Sequence, residues 1–300
     1  NTKLYTGNGG TNPITGVGFQ PDLVWSKARN NAYSNTLYDV VRGVTKRLYT
    51  NSANGENTEA NSLTAFGSDG FTLGSDGGSN VNNGTFASWN WKANGTGSAN
   101  TAGSISSTVS VNTTSGFSIV KYTGNGGTAS VGHGLGSAPK MIIAKQYSGA
   151  GSQHWTVFHN SLDTNKNLYL NLTNAEDTPS PEIYRKGSFT NDVFAIGAHD
   201  RINNNTVSYI AYCFADVPGY QKCGIYTGNG NADGIFCFTG FKPKFVLIKQ
   251  AIGNNSTNWS ITDNKRLEHN PGEKILYPNT SAVEDSYDPI EHLSNGFKLI

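Results

Sequence analysis

The sequence predicts an all-β fold built from tandem antiparallel β-sandwiches of the jelly-roll type, in three copies of which the third is incomplete. The pentapeptide Tyr-Thr-Gly-Asn-Gly occurs three times at domain-sized intervals. After each occurrence comes a short apolar run, which is typical of a strand buried on both faces. The chain also contains 36 glycines, and both glycine and asparagine favour turns over helix interiors.

The pentapeptide begins at Tyr5, Tyr122 and Tyr226, in steps of 117 and then 104 residues. Steps of this size give each copy enough residues to bury a core of its own. The Asn-Gly pair is typical of a tight turn with positive φ. We favour such a turn over a phosphate-binding loop, because a phosphate-binding loop opens a helix and an apolar strand follows here.

These landmarks divide the chain into three repeats. Repeat 1 is residues 1–93, repeat 2 is residues 117–220 and repeat 3 is residues 221–300. Residues 94–116 are uncharged and rich in Gly, Ser, Thr and Asn, so we predict a linker whose middle forms an edge strand. The Pro-Gly pair at 218–219 predicts a tight turn, so we expect repeats 2 and 3 to be docked on each other.

A proline-led strand follows each pentapeptide and reaches a lysine six positions after the proline. Proline at the start of a strand loses no ladder hydrogen bond, and the continuous apolar run between proline and lysine predicts burial on both faces. We expect the lysines to mark the exit of the strand to solvent. They are Lys27, Lys145 and Lys249.

Two further landmarks recur between the repeats. One is a strand that ends at Asp39 in repeat 1, His159 in repeat 2 and Asp263 in repeat 3. The other is a closing strand with aromatic residues at alternating positions, residues 86–91 and 209–214. Aromatic residues two apart point to one face of a strand, so we expect them to fill a sandwich core.

Repeat 3 has no such closing strand. Its last residues, 296–300, match residues 70–74 of repeat 1, which precede the closing strand there. We therefore expect repeat 3 to be truncated and the protein to continue beyond Ile300. The start at Asn1, without a methionine, also favours a fragment.

The charge composition narrows the classes of function. The 22 basic and 21 acidic residues leave a net charge of +1, so no nucleic-acid partner is predicted. No apolar run reaches the roughly 18 residues of a membrane span, and no signal peptide is visible.

An odd number of cysteines implies no disulfide framework, so we interpret Cys213, Cys223 and Cys237 as small buried apolar residues.

No catalytic, metal or cofactor site is predicted, and we expect the chain not to be an enzyme. A glycosidase needs two carboxylates at a fixed separation, whereas the candidate acids show no recurrence between the repeats. These acids are Glu182, Glu268, Glu273, Glu284 and Glu291. The histidines lack metal-ligand spacing, and no nucleophile elbow is present. They include His133, His154, His159 and His199.

Two Ser-Asp-Gly runs, at residues 68–70 and 75–77, offer carboxylates of the kind that Ca²⁺ prefers. They lack the alternating spacing of a calcium loop, so we interpret them as turns.

The aromatic residues bear on sugar recognition, because a lectin-type site exposes an aromatic face. The tryptophans instead align with apolar or aromatic residues of the other repeats, as Trp25 does with Ile143 and Leu247, and we predict that they are structural. Ligand-binding residues are therefore unassigned. Three tyrosines in loops are the candidate ligand contacts, namely Tyr33, Tyr147 and Tyr184.

Longer motifs carry a family resemblance. They occupy residues 124–136, 139–143 and 209–220 in repeat 2, and residues 18–25 and 38–43 in repeat 1. In these motifs the chain resembles an uncharacterised tandem β-sandwich repeat domain of tailed bacteriophages, often marine ones, that occurs in tail-fibre and other virion proteins. The resemblance covers nearly the whole chain. It implies a jelly-roll sandwich similar to concanavalin-like and SPRY-like domains, and it supplies no catalytic or binding residues.

The resulting expectation is a non-enzymatic structural protein of a tailed phage. We expect a tail fibre, an appendage or a surface-decorating component at the surface of the virion. Its expected partners are other copies of itself, other virion proteins and a host surface glycan. Two alternatives stay open, namely a carbohydrate-binding module and a polysaccharide-degrading enzyme.

Overall fold

A computed structural model describes residues 1–149, 151–253, 256–266, 274–286 and 290–300. The all-β fold class is confirmed, because antiparallel sheets account for every pairing between the strands named below. Within the described residues, no helix is both long enough and apolar enough to cross a bilayer. The strands fall into three consecutive groups, which we call unit 1 (residues 1–93), unit 2 (residues 94–220) and unit 3 (residues 221–300).

Unit 1 is a two-sheet sandwich. Its elements are β1 (Thr2–Thr6), β2 (Asn12–Ile14), β3 (Leu23–Ala28), β4 (Thr36–Asp39), β5 (Lys46–Tyr49), β6 (Asn57–Thr58), β7 (Leu63–Gly67), β8 (Gly70–Leu73), the helical turn α1 (Gly77–Asn80) and β9 (Thr85–Trp91). One sheet has the order β1-β9-β3-β4-β5-β6 and the other β2-β8-β7. Tyr5, Val24 and Phe86 of the first sheet pack against Ile14 and Phe71 of the second. The closing strand β9 thus lies between β1 and β3.

Unit 2 repeats this arrangement. Its elements are β10 (Ser98–Asn100), β11 (Ser107–Asn112), β12 (Phe117–Thr123), β13 (Ala129–Gly132), β14 (Met141–Gln146), β15 (Thr156–His159), β16 (Leu168–Tyr169), a 3₁₀ turn (Lys186–Ser188), β17 (Val193–Ile196), the helical turn α2 (Asp200–Asn203) and β18 (Ser208–Phe214). The large sheet has the order β10-β11-β12-β18-β14-β15-β16, and β13 pairs with β17. The closing strand β18 lies between β12 and β14, as β9 does in unit 1.

Residues 94–116 were predicted to be a linker whose middle forms an edge strand; the middle does form a strand, but the segment is not a linker. It contributes β10 and β11 to the large sheet of unit 2, where β11 pairs with β12 over its whole length. The alternation of Val109 and Val111 with polar residues fits a strand at the side of a sheet. Units 1 and 2 are therefore joined by an integrated strand pair instead of a tether.

Unit 3 has strands equivalent to β2, β3, β4, β7 and β8 of unit 1. They are β19 (Phe236–Phe238), β20 (Phe245–Ile248), β21 (Ser260–Asp263), β22 (Ile290–Leu293) and β23 (Gly296–Leu299). β20 pairs with β21, and β19, β23 and β22 form the second sheet. No described residue of unit 3 takes the place that β9 and β18 have. The Pro-Gly turn before this unit is confirmed, with φ of 75° at Gly219 and a 3.0 Å bond from Tyr220 N to Val217 O.

The three units share one central core, which lies on the faces of the large sheets that point away from each sandwich interior. Unit 1 supplies Trp25 and Trp89, unit 2 supplies Trp155 and Tyr212, and unit 3 supplies Trp259. The predicted structural role of the tryptophans is confirmed by this packing, and Trp155 is fully buried. Burial of apolar area on this scale makes the units interdependent.

The cysteines and the strand-end lysines differ from the predictions. Cys213 is buried, whereas Cys223 and Cys237 are half-buried, and all three are free thiols. Lys27 and Lys145 do not reach solvent, because each is only 1% exposed. Their ammonium groups are covered by a neighbouring unit, as described next.

Candidate functional site between the units

Each strand-end lysine reaches across a boundary between units. Its Nζ donates a hydrogen bond to a backbone carbonyl in a loop of the adjacent unit. The bonds are Lys27 Nζ to Ser281 O (3.1 Å), Lys145 Nζ to Ala53 O (2.9 Å) and Lys249 Nζ to Thr173 O (3.0 Å). Unit 1 therefore contacts unit 3, unit 2 contacts unit 1, and unit 3 contacts unit 2. Such a set of contacts closes a ring.

Burial changes the proton affinity of these lysines. Desolvation lowers the pKa of Lys145 to about 7, and that of Lys27 and of Lys249 to about 8. The carbonyl oxygens satisfy the donors of the amine, but they bring no compensating negative charge. The lysines therefore lose their protons at lower pH than an exposed lysine does, Lys145 most readily.

A second set of contacts follows the same order around the ring. Side-chain N–H groups at equivalent positions donate to the carbonyl of an equivalent tyrosine in the next unit. The bonds are Asn35 Nδ2 to Tyr277 O (3.3 Å), Trp155 Nε1 to Tyr49 O (2.9 Å) and Trp259 Nε1 to Tyr169 O (2.9 Å). The small Asn35 replaces a tryptophan, and it also donates to Pro278 O at 2.7 Å.

A third set runs through the backbone alone. The amide of a glutamate in each unit donates to the carbonyl two residues beyond the lysine of its neighbour. The bonds are Glu56 N to Tyr147 O (2.9 Å), Glu176 N to Ala251 O (2.8 Å) and Glu284 N to Arg29 O (2.7 Å). All three boundaries thus carry the same three hydrogen bonds, which gives the chain an approximate three-fold symmetry.

Buried carboxylates join the closing strands to the next unit. Tyr212 OH donates to Asp39 Oδ2 at 2.7 Å, and Trp89 Nε1 donates to Asp263 Oδ2 at 3.0 Å. Burial, followed by the neighbouring Asp39, raises the pKa of Tyr212, so its hydroxyl stays protonated and remains a donor. His159 occupies the third equivalent position.

Arginines neutralise both carboxylates. Arg42 Nε lies 2.6 Å from Asp39, and Arg266 Nε lies 2.6 Å from Asp263, with both arginine side chains at most 1% exposed. Each arginine also binds a ring glutamate, Glu56 or Glu284, at 3.1 Å. Burial alone would lower the pKa of Arg42, but Asp39 and Glu56 hold it above its usual value. Buried charges that are fully paired hold their neighbours in one arrangement, and removal of one partner lowers the free energy of unfolding.

The sequence contains a pattern that marks this ring, although the candidate acids were expected to show no recurrence between the repeats. The pattern Tyr-x-Asn-x4-Glu occurs three times, at residues 49–56, 169–176 and 277–284. The tyrosine carbonyl and the glutamate amide make the contacts above, and the asparagine Oδ1 accepts from the backbone N–H of Asn35, Trp155 or Trp259 at 3.0 Å. Glu284 therefore does recur between the repeats, contrary to the expectation.

The pentapeptide forms the predicted turn and docks on a buried asparagine. In unit 1, Asn80 Nδ2 donates to Gly10 O and Gly74 O, both at 2.7 Å, and its Oδ1 accepts from Asn8 N at 3.0 Å. In unit 2, Asn203 makes the corresponding bonds to Gly127 and Gly197. The role of the motif is therefore to hold the end of the first strand against the helical turn before the closing strand.

An open cleft of about 530 Å³ lies at the boundary between units 1 and 2. Its lining is polar, with two tyrosines from opposite sides of the boundary. The lining residues are Tyr49, Asn54, Gly55, Glu56, Asn57, Tyr147, Ser148, Gly149 and Ser152. The lining combines amides, hydroxyls and aromatic rings with Glu56, whose carboxylate pairs with Arg42 and Lys46, and it is suited to a polar ligand.

A family model described as a domain of unknown function, DUF7483, matches residues 1–300. The chain belongs to the DUF7483 family. No curated protein and no solved structure matches it. The family match thus covers all three units, including the residues that make the contacts between them.

The three candidate tyrosines have different positions in this DUF7483 chain. Tyr147 lines the cleft, and its side chain is half-buried. Tyr33 is also half-buried, and its carbonyl accepts from Lys27 at 3.1 Å. Tyr184 was expected to be exposed in a loop, and that expectation of exposure is wrong, because Tyr184 is 3% exposed and its hydroxyl lies 3.0 Å from Thr156 Oγ1. Of the three, Tyr147 is the one that lines the cleft between units 1 and 2.

The remaining polar candidates make structural hydrogen bonds or ion pairs. Asp69 accepts from the amides of Gly16 (2.9 Å) and Gly18 (2.6 Å), and its Ser-Asp-Gly run forms the predicted turn, between β7 and β8. The second run leads into α1, where Asp76 accepts from Ser79 Oγ at 2.9 Å. Among the described residues, no three His, Cys, Asp or Glu side chains lie together as a metal site would require. Glu182 pairs with Arg185 at the surface.

The histidines also have local roles. His199 caps α2 by accepting from Arg201 N at 3.2 Å, and His133 accepts from Leu135 N at 3.1 Å. Burial lowers the pKa of each, so neither carries a full charge near neutral pH. Glu268 and Glu273 lie outside the described residues.

Proposed function

We propose that this DUF7483 chain is a non-enzymatic structural component of a tailed-phage particle, serving as a tail fibre, appendage or surface-decorating protein. The observation that carries the proposal is the ring itself. Three sandwich units share one core and repeat the same lysine, side-chain N–H and backbone contacts at every boundary. A closed ring of units gives a rigid body, which suits a load-bearing or display role.

The placement of the charged groups supports the same proposal. The most buried carboxylates, Asp39 and Asp263, are bound by arginine and by an aromatic donor, so they stabilise unit boundaries. A general acid needs a raised pKa and access to substrate, and these two buried carboxylates lack that access. The phage setting rests on the family resemblance of the repeat motifs.

The proposal is tested on particles whose genome encodes the chain. Antibodies against the 300-residue chain should label the outside of intact purified particles in immunogold electron microscopy, and labelling should disappear when the antibody is preabsorbed with the chain. Mass spectrometry of the same particles should find its peptides. Peptides confined to the soluble lysate of infected cells, with unlabelled particles, would overturn the proposal.

A carbohydrate-binding role is the second candidate, and the cleft favours it. Tyr49 and Tyr147 face a lining of asparagine, serine and glycine, a combination suited to stacking on a sugar ring and bonding its hydroxyls. On a glycan array, binding should be lost in Tyr147→Ala. Binding should survive in Tyr220→Ala, a control whose tyrosine is 60% exposed outside the cleft. Equal binding by both variants would rule out this cleft.

A further inference from the structure

The three boundaries share one set of backbone contacts but differ in the side chain that lies beside them. The residue two positions after each strand-end lysine is Arg29 in unit 1, Tyr147 in unit 2 and Ala251 in unit 3. Its carbonyl accepts from the amide of the glutamate of the Tyr-x-Asn-x4-Glu pattern in the adjacent unit. The surface next to each of these glutamates therefore depends on an arginine, a tyrosine or an alanine.

At the boundary between units 3 and 1, Arg29 covers the carboxylate of Glu284. Arg29 Nε donates to Glu284 Oε1 at 3.0 Å, and Arg29 Nη2 donates to Glu284 Oε2 at 2.8 Å. A bidentate pair of this kind sets two parallel N–H donors against both carboxylate oxygens. Arg266 Nη1 also donates to Glu284 Oε1, at 3.1 Å. Both oxygens of Glu284 thus have a partner within the chain.

At the boundary between units 1 and 2, the equivalent carboxylate is less completely bonded. Arg42 Nη1 donates to Glu56 Oε2 at 3.1 Å, and no other described residue donates a hydrogen bond to the Glu56 carboxylate. Lys46 Nζ lies 3.7 Å from Glu56 Oε1 and donates to Thr58 Oγ1 at 2.7 Å. Glu56 and Tyr147, the counterpart of Arg29, both line the cleft. The side of the carboxylate that Arg29 covers in Glu284 therefore borders the cleft in unit 1.

The boundary between units 2 and 3 offers neither an arginine nor a polar surface at this position. Ala251 and Ile252 there correspond to Tyr147 and Ser148 of unit 2. Alanine and isoleucine supply no aromatic face and no hydroxyl. Within the described parts of the chain, an incompletely bonded carboxylate beside an aromatic ring and a hydroxyl is therefore a feature of the boundary between units 1 and 2.

The groups in this cleft select the chemistry of a ligand. Glu56 Oε1 is an acceptor, so it favours a ligand that donates hydrogen bonds. Arg42 and Lys46 already lie within 3.7 Å of this carboxylate, so a ligand with a further positive charge is disfavoured. Ser148 Oγ accepts from Ser208 N at 3.0 Å, which leaves its O–H as a donor to the ligand. A neutral ligand with several hydroxyls meets all of these conditions.

We propose that the cleft between units 1 and 2 binds a neutral saccharide, whose two vicinal hydroxyls donate to the Glu56 carboxylate as the Arg29 guanidinium does to Glu284, while its apolar face lies on Tyr147. Vicinal hydroxyls present two donors side by side, and an aromatic ring packs against the C–H face of a sugar. The proposal rests on the carbohydrate-binding candidate above and adds the class of sugar and the residue that selects it. Because Glu56 belongs to unit 1 and Tyr147 to unit 2, the bound sugar bridges the two units.

A glycan array of neutral, amino-substituted and acidic saccharides tests the class of ligand. The original chain should bind neutral saccharides and leave the other two groups unbound. For the neutral glycan that binds best, the deoxy derivative at either hydroxyl of one vicinal pair should bind about tenfold more weakly or worse. Binding confined to acidic or amino-substituted saccharides would overturn this class and leave the carbohydrate-binding candidate in place, whereas no binding at all would overturn both.

A variant that imitates the boundary between units 3 and 1 tests the site itself. Tyr147→Arg should cover Glu56 as Arg29 covers Glu284, so it should keep the circular dichroism spectrum and melting temperature of the original chain and lose glycan binding. Tyr220→Arg is the matched control, because Tyr220 is 60% exposed outside the cleft, and it should bind normally. Equal binding by the two variants would contradict the proposal, and this result is independent of whether antibodies label the particle.

Discussion

Lys145 of unit 2 donates its Nζ–H to Ala53 O of unit 1 at 2.9 Å, in a position that leaves the lysine 1% exposed. The same lysine in units 1 and 3 makes the same contact with the next unit. The strand end that the sequence marks with lysine is therefore the place where one unit meets another. The stability of the chain should depend on these boundaries as much as on the sandwich cores.

The lowered pKa of Lys145 predicts a pH dependence of stability. Its pKa is about 7 in the folded chain, and it returns to the ordinary lysine value of about 10.4 on unfolding. Between these values the unfolded chain binds more protons, so the free energy of unfolding should rise with pH by up to about 1.4 kcal/mol per unit from this group.

Chemical denaturation at several pH values checks this. Lys145→Met should remove that part of the slope, and Lys92→Met, at an exposed position, should leave the slope unchanged. A slope that is the same in Lys145→Met as in the original chain would contradict the account.

Arg266 should be far more important to stability than a surface arginine. Arg266→Met leaves the Asp263 carboxylate buried without its cation, which should lower the free energy of unfolding by about 3–5 kcal/mol. Arg185→Met is the control, because the Arg185 side chain is 42% exposed where it pairs with Glu182, and its loss should cost less than about 1 kcal/mol. Urea titration distinguishes the two, and similar losses would refute the structural role of the buried pair.

The asparagine that holds the pentapeptide should be essential to unit 2. Asn203→Ala leaves the carbonyls of Gly127 and Gly197 without this donor and should cost about 1–3 kcal/mol for each group left unsatisfied. Asn205→Ala, two residues away and exposed, should change stability by less than about 0.5 kcal/mol. Thermal unfolding of both variants provides the comparison, and an unchanged Asn203→Ala would show that the contact is dispensable.

The same glycine in different units should tolerate alanine differently. Gly7→Ala places a Cβ 2.1 Å from Val81 O, and overpacking of this kind costs about 1–3 kcal/mol. Gly228→Ala meets open space and should be neutral. Equal effects on the melting temperature would show that the two pentapeptides share one environment.

The all-β class, the apolar strands and the core tryptophans could be predicted because they depend on local pattern and on self-similarity. The burial of Lys27 and Lys145 could not, since a strand-end lysine looks the same whether water or a neighbouring loop covers it. Residues 94–116 resemble a linker in composition, yet β11 gains a partner in β12 that only the folded sheet reveals. The Tyr-x-Asn-x4-Glu pattern was present in the sequence, but its tyrosine carbonyl and glutamate amide bind a different unit, so spacing within one repeat did not indicate their partners.

The contact between units 3 and 1 is what turns a row of three units into a ring. The amide of Glu284 takes part in this contact by donating to Arg29 O at 2.7 Å. Glu56 N and Glu176 N make the equivalent bonds at the other two boundaries. Hydrogen exchange at residue resolution measures all three amides in one sample. A closed ring predicts comparable protection of Glu56, Glu176 and Glu284. Protection of Glu56 and Glu176 with exchange of Glu284 at the rate of an unfolded chain would contradict it.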